Sequence, residues 1–435
     1  MRTRAFQFAL LLAILLTPFT SLSGGPPAHA EICDVSWKDP VSGNWTEASK
    51  WSTNAVPTNA QNVCIIVDGT YTVTLTGSQA ANSVMLGAAG NSGTPTLWIR
   101  SGSWLESRLN AANGFTNAGT IRMESVGAYP YSAILTVNAG TLLNTGTINI
   151  NYGNYGGGRE IQAQVDNRGA INVGIDTAIT KASAQHTNSG TINVSGGSLY
   201  VNQSGTNPSF TNIGIISVAS SPTVRSLHVN NGTFRNTSPG TITGGGTVNL
   251  NNVTFFGTGS IAANVNNNGS QVNPGASPGI LNITGNYVQN SYGTLNVELA
   301  GAAPGTGYDQ VNVSGNANLA GTLNVAVAPT YCVEGGYTIM TYGSRIGDFA
   351  TKIGLSPGGG RVLVPNVGPT TYVLSVSGPT CNQPPLASGD TYNVNEDTLL
   401  TVAAPGGAWQ RYRPQRQRDY GRARERSFQR HPDAE

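Results

Sequence analysis

A nine-residue phrase recurs through the middle of the chain and limits the folds available to it. With small variations the phrase reads apolar-x-Asn-x-Gly-Thr-Ile-x-apolar, first at 115–123. The asparagines of five copies are Asn117, Asn144, Asn167, Asn188 and Asn212, and the isoleucines are Ile121, Ile148, Ile171, Ile192 and Ile216. The asparagines lie 27, 23, 21 and 24 residues apart, and a sixth copy at 234–242 carries two extra residues. A period in this range is typical of stacked repeats.

Each part of the phrase has a physical role in such a stack. Ile-x-apolar alternates apolar and polar residues, as a strand with one buried side does. Gly takes backbone angles closed to other residues and Asn tolerates the left-handed region, so Asn-x-Gly predicts a tight corner before each strand. Stacking then places Ile on Ile and Asn on Asn, with the amides joined in a hydrogen-bonded ladder. The spacing varies while the phrase is kept, so insertions fall in loops, and the pattern predicts a parallel β-helix.

The predicted fold class is therefore all-β, a solenoid with capped ends. Charged residues make up only 10% of the chain, and no helical period is visible between residues 31 and 400. Leucine-rich repeats would need a regular Leu frame and helices, and neither is present. We assign an N-terminal cap to 31–90, β-helix repeats to 91–327 and a further β segment to 328–380.

The cap contains a cluster of three tryptophans, Trp37, Trp45 and Trp51. Tryptophan clusters can stack on carbohydrate. We favour a structural interpretation, in which the rings cover the first coil, because an uncovered coil end exposes strand edges and core.

The first 30 residues have the features of a secretory signal peptide. Arg2 and Arg4 precede an apolar run at 9–16, and Ala28-His-Ala30 supplies the small residues of a cleavage site. The run is too short to cross a bilayer. We expect a secreted or surface-exposed bacterial protein with no transmembrane segment after cleavage.

The cysteines fall in two groups, one near each end of the repeats. In an exported chain an even number of cysteines suggests disulfides. We predict the pairs Cys33–Cys64 and Cys332–Cys381, because residues 65–331 contain no cysteine. A zinc site is the alternative, but the spacings do not suit it and no partnering His is present.

Two stretches resemble known bacterial surface proteins. Trp-x-x-Pro-x-x-Gly-x-Trp at 37–45, followed by Tyr-Thr-Val-Thr-Leu at 71–75, resembles the opening of proteins with β-helical passenger regions. Ser-Pro-Gly at 277–279, Tyr-x-Gln at 287–289 and Tyr-Asp-x-Val-x-Val-x-Gly at 308–315 resemble the last coils of autotransporter-type passengers. We see no following run of amphipathic strands like the membrane barrel of that family, so we do not expect self-transport.

A different resemblance begins at Cys381. Residues 381–407 resemble the opening of bacterial cadherin-like repeats, although an immunoglobulin-like sandwich needs about 100 residues. Acids near the start of such repeats can hold calcium, and the resemblance implies Asp390, Glu396 and Asp397 as hard oxygen ligands of an incomplete site. The alternative is that these are solvated acids of a turn. We expect no other cofactor.

The last segment, 408–435, differs in composition from everything before it. It carries 8 arginines and 4 acids, whereas the rest of the chain has 15 Lys and Arg against 17 Asp and Glu. Permitted codons for 409–420, read one base on, give Gly-Asn-Asp-Thr-Asp-Pro-Asn-Gly-Asn-Ala-Ile, which suits a cadherin-like repeat. The same shift turns 427–435 into Ala-Ser-Asn-Gly-Thr-Leu-Thr-Leu. We interpret the segment as a disordered, frameshifted tail, which sequencing of the gene beyond the stop codon tests.

Few residues suit catalysis. Polysaccharide-cleaving β-helix enzymes need clustered carboxylates, or carboxylates with a metal. Between residues 100 and 297 the acids are Glu106, Glu124, Glu160, Asp166 and Asp176. Glu160 or Asp166 can meet Asp176 across coils, but no motif indicates it. His186 takes the place of an apolar residue in the other copies, which favours a stacked repeat residue over a base.

These observations favour a structural or adhesive surface protein without catalytic activity. Stacked Thr, Asn and Ser side chains offer hydrogen bonds to glycans or to other cell-surface proteins. The near-neutral charge of the repeats disfavours nucleic acid. The alternative is a polysaccharide-active β-helix enzyme, a lyase or a hydrolase.

Overall fold

The computed structural model describes residues 33–102 and 105–381. Over these residues the chain is a parallel β-solenoid of about 13 turns, which confirms the predicted fold class. The described residues include a single short helix, the 3₁₀ turn Ala48–Lys50.

Each complete turn contributes strands to three parallel ladders, in the order 1, 2, 3. Ladder 1 contains Ser78–Ala81, Thr177–Ala182, Leu199–Ser204, Ser226–Asn230, Thr247–Asn251, Asn264–Asn268, Tyr287–Gln289, Asn316–Leu319 and Ser344–Gly347. Ladder 2 contains Val35–Ser36, Asn62–Ile65, Ser83–Leu86, Gln185–Asn188, Ser209–Asn212, Thr233–Asn236, Thr254–Gly257, Gln271–Pro274, Thr294–Leu299, Thr322–Val327 and Thr351–Ile353. Three long strands pass through both of these ladders, namely Ser107–Asn117, Ala133–Asn144 and Arg159–Asn167.

Ladder 3 forms a separate sheet. Its strands are Gly43–Asn44, Thr72–Leu75, Thr96–Ser101, Thr120–Ser125, Thr147–Gly153, Ala170–Val173, Thr191–Val194, Ile215–Val218, Thr241–Thr243, Ser260–Ile261, Ile280–Ile283, Gln310–Val313, Gly336–Thr341, Val362–Val367 and Thr371–Ser377. The last two of these pair antiparallel and close the sheet.

The recurrent phrase spans the corner between ladders 2 and 3. Its Asn is the last residue of a ladder 2 strand, and its Ile lies in the following ladder 3 strand. Each of the five isoleucines is in register with the next along ladder 3. All five are at most 2% exposed, so the structure places them in one buried column. Burying such a side chain contributes about 1.5–3 kcal/mol.

The glycine of the phrase is needed for a reason other than the one expected from sequence. Gly146, Gly169, Gly190 and Gly214 do not adopt the left-handed backbone region. A Cβ on Gly146 would instead overlap the carbonyl oxygen of Gly119 one turn below, and the other three stack in the same way. The corner glycines are therefore required by close backbone contact between turns, and the expectation of special backbone angles was wrong.

Large rings fill the first coils. Trp37, Trp45 and Trp51 are at most 1% exposed, and Trp51 contacts both of the others edge-on at 4.9 and 5.0 Å. Parallel pairing starts at Val35, so the segment predicted as a cap already contributes strands to the ladders. Buried inside the solenoid, the three rings cannot stack on a sugar.

The last coil of the solenoid carries charged side chains at positions that are apolar in the preceding turn. Arg345 and Lys352 continue the buried positions of Ala317 and Leu323 from the preceding turn. Lys352 donates to a carboxylate oxygen of Asp348 at 2.8 Å. Charged side chains at inward positions discourage further strands from pairing with an open edge.

Candidate binding surfaces

Apolar side chains fill the interior of the described solenoid, and a buried asparagine ladder runs along its corner between ladders 2 and 3. Side-chain amides join the five predicted asparagines and Asn236 of the sixth copy, with N–O distances of 2.6 to 2.8 Å. All six are 0% exposed. Each amide donates to the next turn, which satisfies buried polar groups while holding the turns in register. Any ligand must therefore bind outside.

Both predicted disulfides are present. Cys33 and Cys64 have Cα atoms 5.7 Å apart, and Cys332 and Cys381 have theirs 6.0 Å apart. Cys33–Cys64 ties the chain to the first ladder 2 strands, and Cys332–Cys381 ties the end of the described chain to the loop before Gly336–Thr341.

A second asparagine ladder, which is not part of the recurrent phrase, lies on the outer side of ladder 1. Asn230 donates to Asn202 at 2.6 Å, Asn251 to Asn230 at 2.7 Å and Asn268 to Asn251 at 2.9 Å. These side chains are half-buried or exposed. Their spacings of 28, 21 and 17 residues are irregular, and no shared phrase marks them.

An open groove borders this outer ladder, and we call it the ladder 1 groove. It consists of two concavities of 540 and 280 Å³ that share Ser204. The larger is lined by Gln203, Ser204, Gly205, Asn207, Pro208, Asn231, Gly232, Thr233 and Thr254, and the smaller by Thr136, Asn138, Gln162, Thr180, Lys181, Ala182 and Ser204. The lining is dominated by neutral amides and hydroxyls, which both donate and accept hydrogen bonds.

Hydrogen bonds between side chains of different turns fix the smaller concavity. Arg108 donates to Gln162 at 2.9 Å, and Thr136 donates to the same amide oxygen at 3.0 Å. Thr180 donates to a Glu160 oxygen at 2.6 Å. The side chains that face solvent are thus held on rigid strands before any ligand arrives.

The carboxylates weighed as catalytic candidates have separate partners. Glu160 accepts from Thr180, Asp166 is paired with Arg168 at 2.7 Å, and Asp176 accepts the backbone N–H of Ser198 at 2.7 Å. Across residues 33–102 and 105–381, no three His, Cys, Asp or Glu side chains are grouped as a metal site would require.

The two histidines in the repeats have different surroundings. His186 is 2% exposed in the column of apolar residues, and burial lowers its pKa to about 4. Its Nδ1 accepts the backbone N–H of Val165 at 3.2 Å. His228 stacks on Tyr200 with ring centres 4.5 Å apart on the outer side of ladder 1, and burial lowers its pKa while Asp176 opposes that shift.

No protein-family model and no curated protein matches this chain. None of the described helical segments is long and apolar enough to cross a bilayer. The ladder 1 groove is therefore characterised by its geometry alone.

Several predictions concern residues outside the described ranges. They are the signal peptide at 1–30, the cadherin-like start after Cys381 with Asp390, Glu396 and Asp397, and the basic tail at 408–435. These remain predictions from sequence.

Proposed function

We propose that the chain is a non-catalytic, secreted or surface-exposed protein whose solenoid binds glycans along the ladder 1 groove. The observation that carries the proposal is the groove's lining of neutral amides and hydroxyls on rigid strands. Sugar hydroxyls need partners that both donate and accept, and Asn, Gln, Ser and Thr side chains are such partners. The stacked pair Tyr200 and His228 adds an aromatic surface on the same ladder.

Other features support export and a binding role. Two disulfides suit an oxidising compartment. Glu160, Asp166 and Asp176 are engaged by a hydroxyl, an arginine and a backbone N–H, respectively. A long, open groove with many weak contacts suits an extended polymer better than a single small molecule.

Glycan binding tests the proposal directly. We expect the purified full chain to retain neutral oligosaccharides in a binding screen, with affinities then measured by calorimetry. Ser204→Arg places a long side chain where the two concavities meet and should weaken binding about tenfold or more, a loss of about 1.4 kcal/mol. Ser217→Arg, outward on ladder 3 of the same turn, is the matched control and should bind normally.

Three outcomes contradict the proposal. The first is an equal effect of the two substitutions, and the second is no glycan binding by the unmodified chain. The third is the release of reducing ends or unsaturated sugars from a bound polysaccharide, which would favour the enzyme alternative.

A further inference from the structure

Two loops on one edge of the solenoid bring four tyrosines together. The loops at 126–132 and 154–158 connect ladder 3 to ladder 1 in successive turns. The first holds Tyr129 and Tyr131, and the second follows Tyr152 and includes Tyr155. Four of the 16 tyrosines of the chain thus fall within 27 residues. We call these loops and Tyr152 the tyrosine corner.

The two loops are in direct backbone contact. Asn154 donates its backbone N–H to the Ser125 carbonyl at 2.8 Å. A Cβ on Gly157 would lie 2.6 Å from the Tyr131 carbonyl oxygen, so glycine is needed for the loops to lie this close. The rings of Tyr129 and Tyr131 meet edge-on at 6.4 Å. The corner is therefore a packed unit.

Buried Arg159 holds the second loop in place. It is 2% exposed and donates to the carbonyl oxygens of Asn151, Tyr152, Gly157 and Gly158 at 3.0 to 3.2 Å. Burial lowers its pKa to about 10, so it keeps its charge at neutral pH. Two of these charge-assisted bonds go to the loop and two to the end of the strand before it, and together they fix the backbone that carries Tyr152 and Tyr155.

Two of the rings nevertheless remain available to a ligand, since Tyr152 and Tyr155 are 55% and 46% exposed. Exposed tyrosines on a rigid backbone give large contact area at low entropic cost.

Arginines on ladder 3 adjoin the corner. Trp98 lies 4.4 Å from the Arg122 guanidinium and 5.2 Å from that of Arg100. Arg122 is paired with Glu124, which is 7% exposed. Arg100 lies opposite Glu124 in the ladder but makes no ion pair with any residue of the described ranges.

The position of Arg100 connects this charge to the tyrosines. The hydroxyl of the next residue, Ser101, donates to the Tyr131 carbonyl at 2.9 Å. Arg100, Arg122 and Arg159 face one carboxylate, Glu124, so the region has a formal excess of positive charge. Because Arg159 is buried, Arg100 and Arg122 are the cations that a ligand can reach.

We propose that the tyrosine corner, with Arg100, is a second binding site that takes an anionic glycan, one bearing sulfate or carboxylate groups. The sugar rings stack on the exposed tyrosines, and the anionic groups pair with Arg100. This site lies on a different edge from the ladder 1 groove and takes a different class of ligand.

A size-defined heparin oligosaccharide and its desulfated, N-acetylated form test the proposal on the full chain. We expect the sulfated probe to bind, with affinity that falls as salt is raised, and the desulfated probe to bind at least tenfold more weakly. Arg100→Gln, and separately the double variant Tyr152→Ala with Tyr155→Ala, should each weaken the sulfated probe about tenfold or more.

Matched controls separate this site from general effects. Arg235→Gln removes an exposed arginine that lies over Phe256 at 4.3 Å, and Tyr292→Ala removes a tyrosine that is 83% exposed. Both should leave binding unchanged. Hydroxyl-radical footprinting of the unmodified chain should show Tyr152 and Tyr155, but not Tyr292, protected by the probe.

The proposal is overturned if the sulfated probe does not bind, if both probes bind equally, or if the control variants lose as much affinity as the corner variants. It is also overturned if footprinting protects Tyr292 instead of the corner. If the proposal for the tyrosine corner fails, the proposal for the ladder 1 groove is unaffected, because the two are tested with different probes and different variants. Failure of the groove proposal likewise leaves the corner proposal unaffected.

Discussion

Two asparagines of a single turn allow the buried ladder to be tested against a matched control. Asn167 is 0% exposed and accepts from Asn144 at 2.6 Å while donating to Asn188 at 2.6 Å and to the Thr191 carbonyl at 3.1 Å. Asn172, five residues later, also takes part in two amide bonds, both 2.8 Å long, but it is partly exposed on the outer side of ladder 3.

The two sites differ in what replaces the lost bonds. Asn167→Ala removes these three hydrogen bonds, worth about 0.5–1.5 kcal/mol each, together with a longer one of 3.4 Å to the Gly169 carbonyl. It also leaves a buried acceptor on Asn188, which costs about 1–3 kcal/mol more. The three shorter bonds and the buried acceptor predict a loss of about 2.5–7.5 kcal/mol in the free energy of opening. Asn172→Ala should cost less than about 1 kcal/mol, because water can reach the partners it leaves.

Hydrogen exchange read by mass spectrometry is the suitable assay, because solenoids need not unfold in one step. Exchange of amides at 165–194 reports the opening of the turns on either side of both substitutions. If the two variants lose the same free energy of opening, or if Asn167→Ala loses less than about 1 kcal/mol, burial does not make the ladder's hydrogen bonds more stabilising than exposed ones, and the argument is refuted.

Two further predictions concern His186 and the disulfides. Unfolded histidine takes a proton near its usual pKa of 6.5 whereas buried His186 does so only near 4, so the turn should lose stability as pH falls from 6.5 to 4. His186→Phe should remove that dependence of stability on pH. Because it leaves the Val165 N–H without its acceptor, it should also lower the free energy of opening by about 1–3 kcal/mol at pH 7. Hydrogen exchange measures both effects, and an unchanged pH profile would contradict the prediction. Under mild reductant followed by alkylation and mass spectrometry, Cys332–Cys381 should open first, since Cys332 is exposed and Cys64 is 1% exposed; earlier alkylation of Cys64 would contradict it.

The repeat was readable from sequence because its determinants are local. Asn-x-Gly-x-Ile fixes a corner, an inward side chain and a strand within five residues, and stacking copies it into a column. The same phrase placed Asn236 correctly, although two extra residues follow it, because Asn236 still ends a ladder 2 strand opposite Asn212. The position of His186 in the phrase likewise predicts its place in the stack.

Contacts between turns were harder to infer. The sequence suggested that glycine was needed for its backbone angles, whereas the structure shows that Gly146 is needed for contact with Gly119, 27 residues earlier. The ladder 1 groove is lined by residues between 136 and 254 that share no motif. Such surfaces are formed by residues of neighbouring turns, and the sequence separation between those residues changes with every insertion.

The tyrosine corner shows how an insertion can acquire a role that the repeat does not have. The 27-residue spacing after Asn117 is the longest of the series, and the added residues form the loop that carries Tyr129 and Tyr131. The next loop packs against it through Gly157 and is held by Arg159, a residue that no repeat position requires. A buried charge costs free energy unless its bonds are satisfied, and all four acceptors of Arg159 belong to residues 151–158. Arg159 therefore stabilises the backbone of residues 151–158, which carries the exposed side chains of Tyr152 and Tyr155.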